Sequence, residues 1–479
     1  MLDLTMAMKN PIKHSRKTAC AYGVLLAFGL APVNFAFGQT LDEALARAYQ
    51  SNPTLNSARG TLRAVDEGVP QARAQSRPSA AFTGSAGKTL THSGVSGTDS
   101  STTGTAASGY PNAWYPTSPR TAGVSVTQPI YKGGGIDAGI QSAEFNVLAQ
   151  RAALLDTEQT VLLLAASAYL DVVQAQARLD LQINFENLQK RDLEMFRARL
   201  KVSDVTASDV SLHEAQLASA TAERISAEGA LISARATYAK AVGAQPGKLE
   251  MPKTGYHLPS SVDEAVAMAR SRSPKVVNAA HSESAAKAAV DVADSSMLPS
   301  VGITASVLHN LDRTKRDDFS TAGSVIASLT IPLDGGAMAS RSRAARQTAN
   351  TARINMEQAA RAAEEVAITA WQGLVTARAS TVSYQAAVKA NELAVDSMRQ
   401  QLAVGTSSVI DLLNTEQTLL TARVNVTKSQ HDEKVSTFAL MAAVGDLTAQ
   451  TLKLPVHYYD YEANYRKVRD RWYGYGIDE

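Results

Sequence analysis

The chain has 479 residues with 47 basic and 45 acidic side chains, a net charge of +2 and a single cysteine. So even a balance lacks the basic excess with which proteins neutralise nucleic-acid phosphates, and no nucleic-acid partner is expected. With one cysteine and eight histidines, none of them spaced i, i+4, neither a disulfide framework nor a metal site is expected, and nothing points to a cofactor.

Lys9, Lys13, Arg16 and Lys17 precede an apolar run from Ala19 to Pro32 and small residues near Ala36 and Gly38, so residues 1–38 read as a secretory signal peptide. Cys20 follows Arg16-Lys17-Thr18-Ala19 rather than the apolar run a lipoprotein needs, and is expected to leave with the leader. The leader takes four basic residues and Asp3 with it, bringing the exported chain to a charge near −1. Beyond it no uninterrupted apolar stretch reaches about 18 residues, so no membrane-crossing helix is expected. An exported chain of this kind is free in the periplasm or medium, or embedded through strands.

The rest of the chain is duplicated. Sliding the sequence along itself until Thr40 meets Ser261 also lays Asp42, Glu43 and Pro53 on Asp263, Glu264 and Pro274, and Pro78-Ser79 on Pro299-Ser300. Further on, after a shorter slide, Leu200, Val202, Asp209, Glu214 and Gly243 fall on Leu402, Val404, Asp411, Glu416 and Gly445. The boundaries are a first repeat over 39–243, a linker over 244–260, a second repeat over 261–445 and a tail over 446–479. Such a period is far longer than that of a solenoid.

Thr40 with Glu43, and Ser261 with Glu264, predict a capping box opening a helix to about Gln75 and Ser295, where Pro78 and Pro299 impose extended backbone. Strands are predicted at about 79–90, 121–130, 300–308 and 322–331, as two hairpins. The signal is clearest where Val301, Ile303, Ala305 and Val307 alternate with Gly302, Thr304 and Ser306. One apolar face and one small polar face suit a transmembrane barrel strand; a soluble sandwich edge alternates in the same way. Thr91–Arg120, rich in Ser, Thr and Gly, reads as a surface loop.

Pro129 to Gly135 and Pro332 to Gly336 follow the second strands. Gly133, Gly135 and Ala138 fit a loose dinucleotide fingerprint, but no βαβ unit follows and the second copy breaks the spacing, so a flexible strand-to-helix hinge is expected. From Gln141 to Glu228 there is neither proline nor glycine, and Ile136–Val202 reads as one helix about 100 Å long, with a twin from about Ala337 to Leu402. A polar break, Ser203–Ala207 or Gly405–Ser408, turns each into a second helix. There Val210, Leu217, Leu231 and Tyr238, with Ala218, Ile225 and Ile232 alongside, and Leu412, Leu419, Val426 and Leu440 in the second copy, keep a heptad register. That spacing implies coiled-coil packing.

This order of elements resembles the TolC family of outer-membrane channel proteins over essentially all of residues 39–455. The most specific motif is Val404-Gly405-Thr406-Ser407-Ser408-Val409-Ile410-Asp411-Leu412-Leu413, similar to the family's second periplasmic turn, with Val202–Val210 its less regular partner. The tail Tyr458–Trp472 resembles the end of channels used in type I secretion. The resemblance implies an α+β membrane protein: a homotrimer whose twelve strands form one β-barrel in outer-membrane lipid, continued by a long α-helical coiled-coil barrel in the periplasm. Four strands cannot close a barrel, and an open edge leaves backbone groups unpaired in hydrocarbon, which independently requires an oligomer.

The resemblance also assigns a site. Asp209 and Asp411 match acidic residues that narrow the pore, where carboxylate rings favour cations; an aspartate at a helix N-terminus reads either one alone equally well, and their identical place in both copies favours the pore. Leu402 and Ser407 stand where the best-known member has a tyrosine and an arginine that hold the entrance shut, and Asn414 stands at a further acidic position. Val202, Ser203 and Asp204 in one turn, and Val404, Gly405 and Thr406 in the other, match positions that dock a periplasmic adaptor, the membrane fusion protein, which couples the channel to an inner-membrane ABC or RND transporter. The competing readings are an exported coiled-coil scaffold or adhesin stalk without a pore, and an exported enzyme. No G-x-S-x-G elbow and no histidine paired with a nucleophile supports the latter.

Overall fold

The computed structural model describes residues 40–93, 113–252, 255–313, 317–474 and 476; the predicted signal and most of the Thr91–Arg120 loop lie outside the described residues. The described residues all belong to the unit Gly38–Glu479.

Where the sequence predicts one helix to Gln75 there are three, α1 (Leu41–Ser51), α2 (Pro53–Asp66) and α3 (Gly68–Ala74). Pro53 has no N–H with which to continue α1, and sits instead at the first position of α2. Asn52 caps that start, its Oδ1 accepting from Thr54 N at 2.9 Å while its amide donates to Ala241 O at 3.2 Å. The α1 N-cap, Thr40, accepts from Glu43 N at 3.3 Å.

The four long strands form one antiparallel sheet in the order β1 (Ser79–Ala86), β4 (Arg120–Lys132), β5 (Ser300–Leu311), β6 (Phe319–Thr330). Between β1 and β4 the ends of the predicted loop pair as β2 (Thr89–Ser93) and β3 (Ala113–Thr117). Register sorts the side chains: Phe82, Val124 and Val307 line up on one face, and Ala81, Ser125, Ser306 and Ser324 on the other. Hydroxyls link the polar face, Thr127 to Thr304 at 3.3 Å and Ser306 to Ser324 at 3.0 Å. Phe82 is 75% and Val325 76% exposed, so nothing among the described residues covers the apolar face, and β1 and β6 are open edges.

The glycines after β4 are not a loose hinge. Gly133 and Gly134 have φ of 59° and 79°, and a Cβ on Gly133 would stand 2.7 Å from Ser295 O. They let β4 enter α4 (Gly135–Lys201) against the end of a helix of the second copy. That copy opens with α6 (Val262–Arg272) and α7 (Pro274–Ser295), again divided at a proline, and Ser261 accepts from Glu264 N at 3.2 Å. The Glu264 carboxylate reaches Ser260 N, at 2.7 Å, rather than the cap residue predicted from sequence.

α4 returns through α5 (Ala207–Val242), and α8 (Ala337–Ala403) through α9 (Val409–Ala443). α4 also packs on α9, which joins the two hairpins side by side. The main core lies where α1 and α2 meet α4, α5 and α9, around Leu45, Leu62, Leu162, Tyr169, Tyr238 and Phe438. α4 is, by length and composition, apolar enough to cross a membrane, which the sequence reading did not expect. Its Val161, Leu162, Ala165, Ala166 and Leu170 are instead buried in this core. Of the heptad residues, Val210, Leu231 and Tyr238 are buried, whereas Ile225 and Ile232 are 56% and 68% exposed.

The tail contains a six-residue helix, α10 (Ala463–Val468), against α2. It is fastened by buried Glu158, which accepts from Ala449 N at 2.8 Å and from the Tyr461 hydroxyl at 2.9 Å. Burial holds the Glu158 carboxyl above the usual range. At the tail's far end the Arg77 guanidinium lies over the Trp472 ring, 4.6 Å from its centroid.

Candidate functional site

The sequence-predicted residues gather at the free ends of the two hairpins, a full 67-residue helix away from the sheet. In the first turn Ser203 holds φ at 61°, an uncommon value for a residue with a Cβ, and Asp204 N closes on Arg199 O at 3.0 Å. The Asp204 carboxylate accepts from Arg199 Nε at 2.7 Å. In the second turn Gly405 takes the left-handed position, φ 76°, and Thr406 closes on Gln401 O through its N–H at 2.9 Å. A Cβ on Gly405 would meet nothing within 4 Å, so this glycine serves the turn itself and not a close backbone approach.

Each return helix starts with a complete capping box. Asp209 Oδ2 accepts from Thr206 N at 3.0 Å and from the Thr206 hydroxyl at 2.7 Å, while Thr206 Oγ1 accepts from Asp209 N. Ser408 and Asp411 repeat every bond. The hydrogen bonds from Thr206 hold the Asp209 carboxyl below the usual aspartate range. Both aspartates therefore carry a structural duty that fixes where their charge sits. Val202 and Val404, at equivalent places in the two turns, are each 74% exposed.

Leu402 does not stand alone. It packs with Val409 and Val205 on Leu193, Phe196 and Val210, an apolar contact between the two hairpins. Ser407 donates to Met398 Sδ at 2.8 Å and so binds only its own hairpin, and Asn414 is exposed.

One to two turns of helix above, a polar group that the sequence reading did not single out ties α4, α8 and α9 together. Glu416 is 4% exposed, accepting from Gln189 of α4 at 3.1 Å and from Arg399 of α8 at 2.7 Å. Burial first, and then the neighbouring Glu416 charge, raise the Asp192 carboxyl to about 6. His213 of α5, 1% exposed, stacks on Phe196 with ring centroids 4.1 Å apart, and burial lowers its basicity. A sequence signal for Glu416 existed: the repeat twice sets an arginine before the turn and a glutamate after it at the same spacing, Arg197 with Glu214 and Arg399 with Glu416.

The chain is thus a duplicated long helical hairpin joined to an open four-stranded antiparallel sheet. The outer membrane efflux protein family model matches residues 44–244 and 265–446, and the chain belongs to that family. It is 30% identical over 470 residues to the outer membrane efflux protein BepC of Brucella suis, covering 98% of both chains. It is 23% identical over 343 residues to the outer membrane protein TolC of Vibrio cholerae, covering 69% of this chain and 77% of that one. The outer-membrane channel CmeC of Campylobacter jejuni shares the fold with a TM-score of 0.74 at 14% identity, over 90% of this chain and 89% of that one. The protein is thus an outer-membrane channel, not an enzyme, with its β domain in the membrane and its helical barrel in the periplasm. Channels of this family are homotrimers that work with periplasmic adaptors and inner-membrane transporters.

Proposed function

We propose that this chain is the exit duct of a tripartite export system, passing proteins, small toxic compounds or both from an inner-membrane ABC or RND transporter and its adaptor to the exterior. The hairpin turns are its entrance. The observation that carries this reading is the repetition of the cap: Thr206 with Asp209 and Ser408 with Asp411 place one capped carboxylate at the same point of each hairpin. In a ring of three chains these supply two sets of three negative charges around the pore, and a pore so lined prefers cations. Val202, Ser203 and Asp204, with Val404, Gly405 and Thr406, are the exposed ends that meet the adaptor, the two valines being its apolar contacts. Leu402 holds the hairpins together at the entrance in place of a polar latch, with Ser407 and Asn414 lining it.

In planar bilayers the purified protein should give a small, cation-selective conductance. Asp209→Asn with Asp411→Asn keeps both caps' shape while removing the charge, and should weaken cation preference several-fold. Unchanged selectivity in the double variant removes both aspartates from the pore.

A further inference from the structure

Within one chain α5 packs on α4 and α1 and reaches α9 near the turn, where Gln216 donates to Gln417 at 3.4 Å, while α8 packs on α9, α7 and α6; the flanks bearing Ile225, Gly229 and Ile232 of α5 and Gly373, Ser383 and Ala390 of α8 stay exposed. We infer that a second copy of this chain joins these flanks in the register that α4 already uses on α9, so that Gly373 meets Gly229 of the second copy and Asn391 meets its Glu214. The inference rests on the channel reading and goes beyond it by stating which residues touch.

One and the same offset carries the start of α4 to the start of α8 and the start of α5 to the start of α9, Gly135 to Ala337 and Ala207 to Val409. The α4–α9 seam is thus a template for α8 on α5. Three contacts define it: Asp171 with His431 Nε2 at 2.8 Å, Phe185 beside Leu420, and Gln189 donating to Glu416 at 3.1 Å. Carried by the repeat, they become Gly373 with Gly229, Ala387 with Ala218, and Asn391 with Glu214.

Four observations fit. Gly229 and Gly373 interrupt long helices, where glycine is unfavourable, yet a Cβ would meet nothing within 4 Å at Gly229 and only Ser436 Oγ at 3.8 Å at Gly373. Neither glycine is needed inside the chain; a close approach by another helix needs both. Ala218, Ala222, Ile225, Gly229 and Ile232 form one exposed stripe on α5 at helical spacing, and Ser383 and Ala390 on α8 are as small as a close seam requires. Glu214 accepts from Arg197 at 2.5 Å as Glu416 does from Arg399, and Asn391 offers the same amide donor as Gln189 on a shorter stem. The sheet hands on in the same sense, with β1 of the first repeat and β6 of the second as its two open edges.

Cysteine pairs test this cleanly, since the exported chain has none of its own. Full-length protein carrying Gly229→Cys with Gly373→Cys, purified in detergent, should form covalent oligomers up to the trimer with a short bifunctional thiol reagent. Glu214→Cys with Asn391→Cys should do the same as an independent pair. Gly229→Cys with Ser380→Cys, about 10 Å further along α8, should link at least tenfold less. Equal or better linking of that off-register pair overturns the register, as does a monomer that never links. Cysteines that in intact cells link to a different polypeptide and never to a second copy would give the flanks to another partner and overturn it too. Linking in register by a protein that does not conduct would sink the channel reading and leave this inference standing.

Discussion

The two hairpins match in length and at a few landmark residues, and are unequal in structure. Both carry an arginine and a glutamate at matching places on either side of the turn, but the Arg197–Glu214 pair is half-exposed on both sides, whereas the Glu416 side chain is 3% exposed under Gln189 of the other hairpin. Both turns need one left-handed residue, which the first supplies with Ser203 and the second with Gly405. Duplication therefore reproduced the local bonds, while position within the fold decided which pair is buried and which turn is free of strain.

The largest effect should come from the buried pair. Glu416→Ala removes the acceptor of two hydrogen bonds, one of them also an ion pair with Arg399, and should destabilise the seam between hairpins by about 2–3 kcal/mol. Hydrogen exchange along α8 and α9 near the turn would read it as faster opening. Glu214→Ala should cost below about 1 kcal/mol in dissociated chains, as exposed pairs do, and approach the Glu416 value only in the assembled ring. Equal costs in dissociated chains would erase the difference between the hairpins.

A smaller effect lies in the turns. Gly405→Val forces a β-branched residue to φ 76° and should cost about 2 kcal/mol locally, while Ser203→Gly relieves the matching strain and should gain about 0.5 kcal/mol. Protease nicking at the turns of the purified oligomer measures both, and a Gly405→Val turn as resistant as the native one would show that the backbone there can rearrange.

The smallest effect is acid loosening of the first turn. The Asp209 carboxyl sits below its unfolded value of 3.8, chiefly through the Thr206 hydroxyl and then its N–H. Its contribution is therefore complete above about pH 4 and is lost as pH falls through the depressed value. Exchange at the start of α5 should be flat from pH 7 to 5 after correction for intrinsic rates and rise below 4, and Thr206→Ala should move the rise upward. A rise already present at pH 6 would point to another group.

Much of this was legible because it is local. Alternation of Val301, Ile303, Ala305 and Val307 marks a strand whatever lies beside it, and the long stretch without proline or glycine marks a helix. The caps at Thr206 and Ser408 were equally local: a helix N-terminal aspartate was read at Asp209 and Asp411 beside the pore match, and only the reciprocal bonds that complete each box were not. The breaks at Pro53 and Pro274 had a clear signal too, since proline favours the first turn of a new helix over the middle of an old one.

The sequence by itself thus determined the order and polarity of the long strands and long helices and the place of the two turns, because hydrogen bonds within a few residues and the spacing of apolar side chains settle those. Only the tertiary structure decided that Glu416 is buried and Glu214 is not, that the glycines after β4 are packed and not hinged, and that the apolar run of α4 faces a core. Those outcomes depend on residues such as Gln189 and Glu416 meeting across 227 positions of chain, and no local pattern encodes which distant helix will arrive.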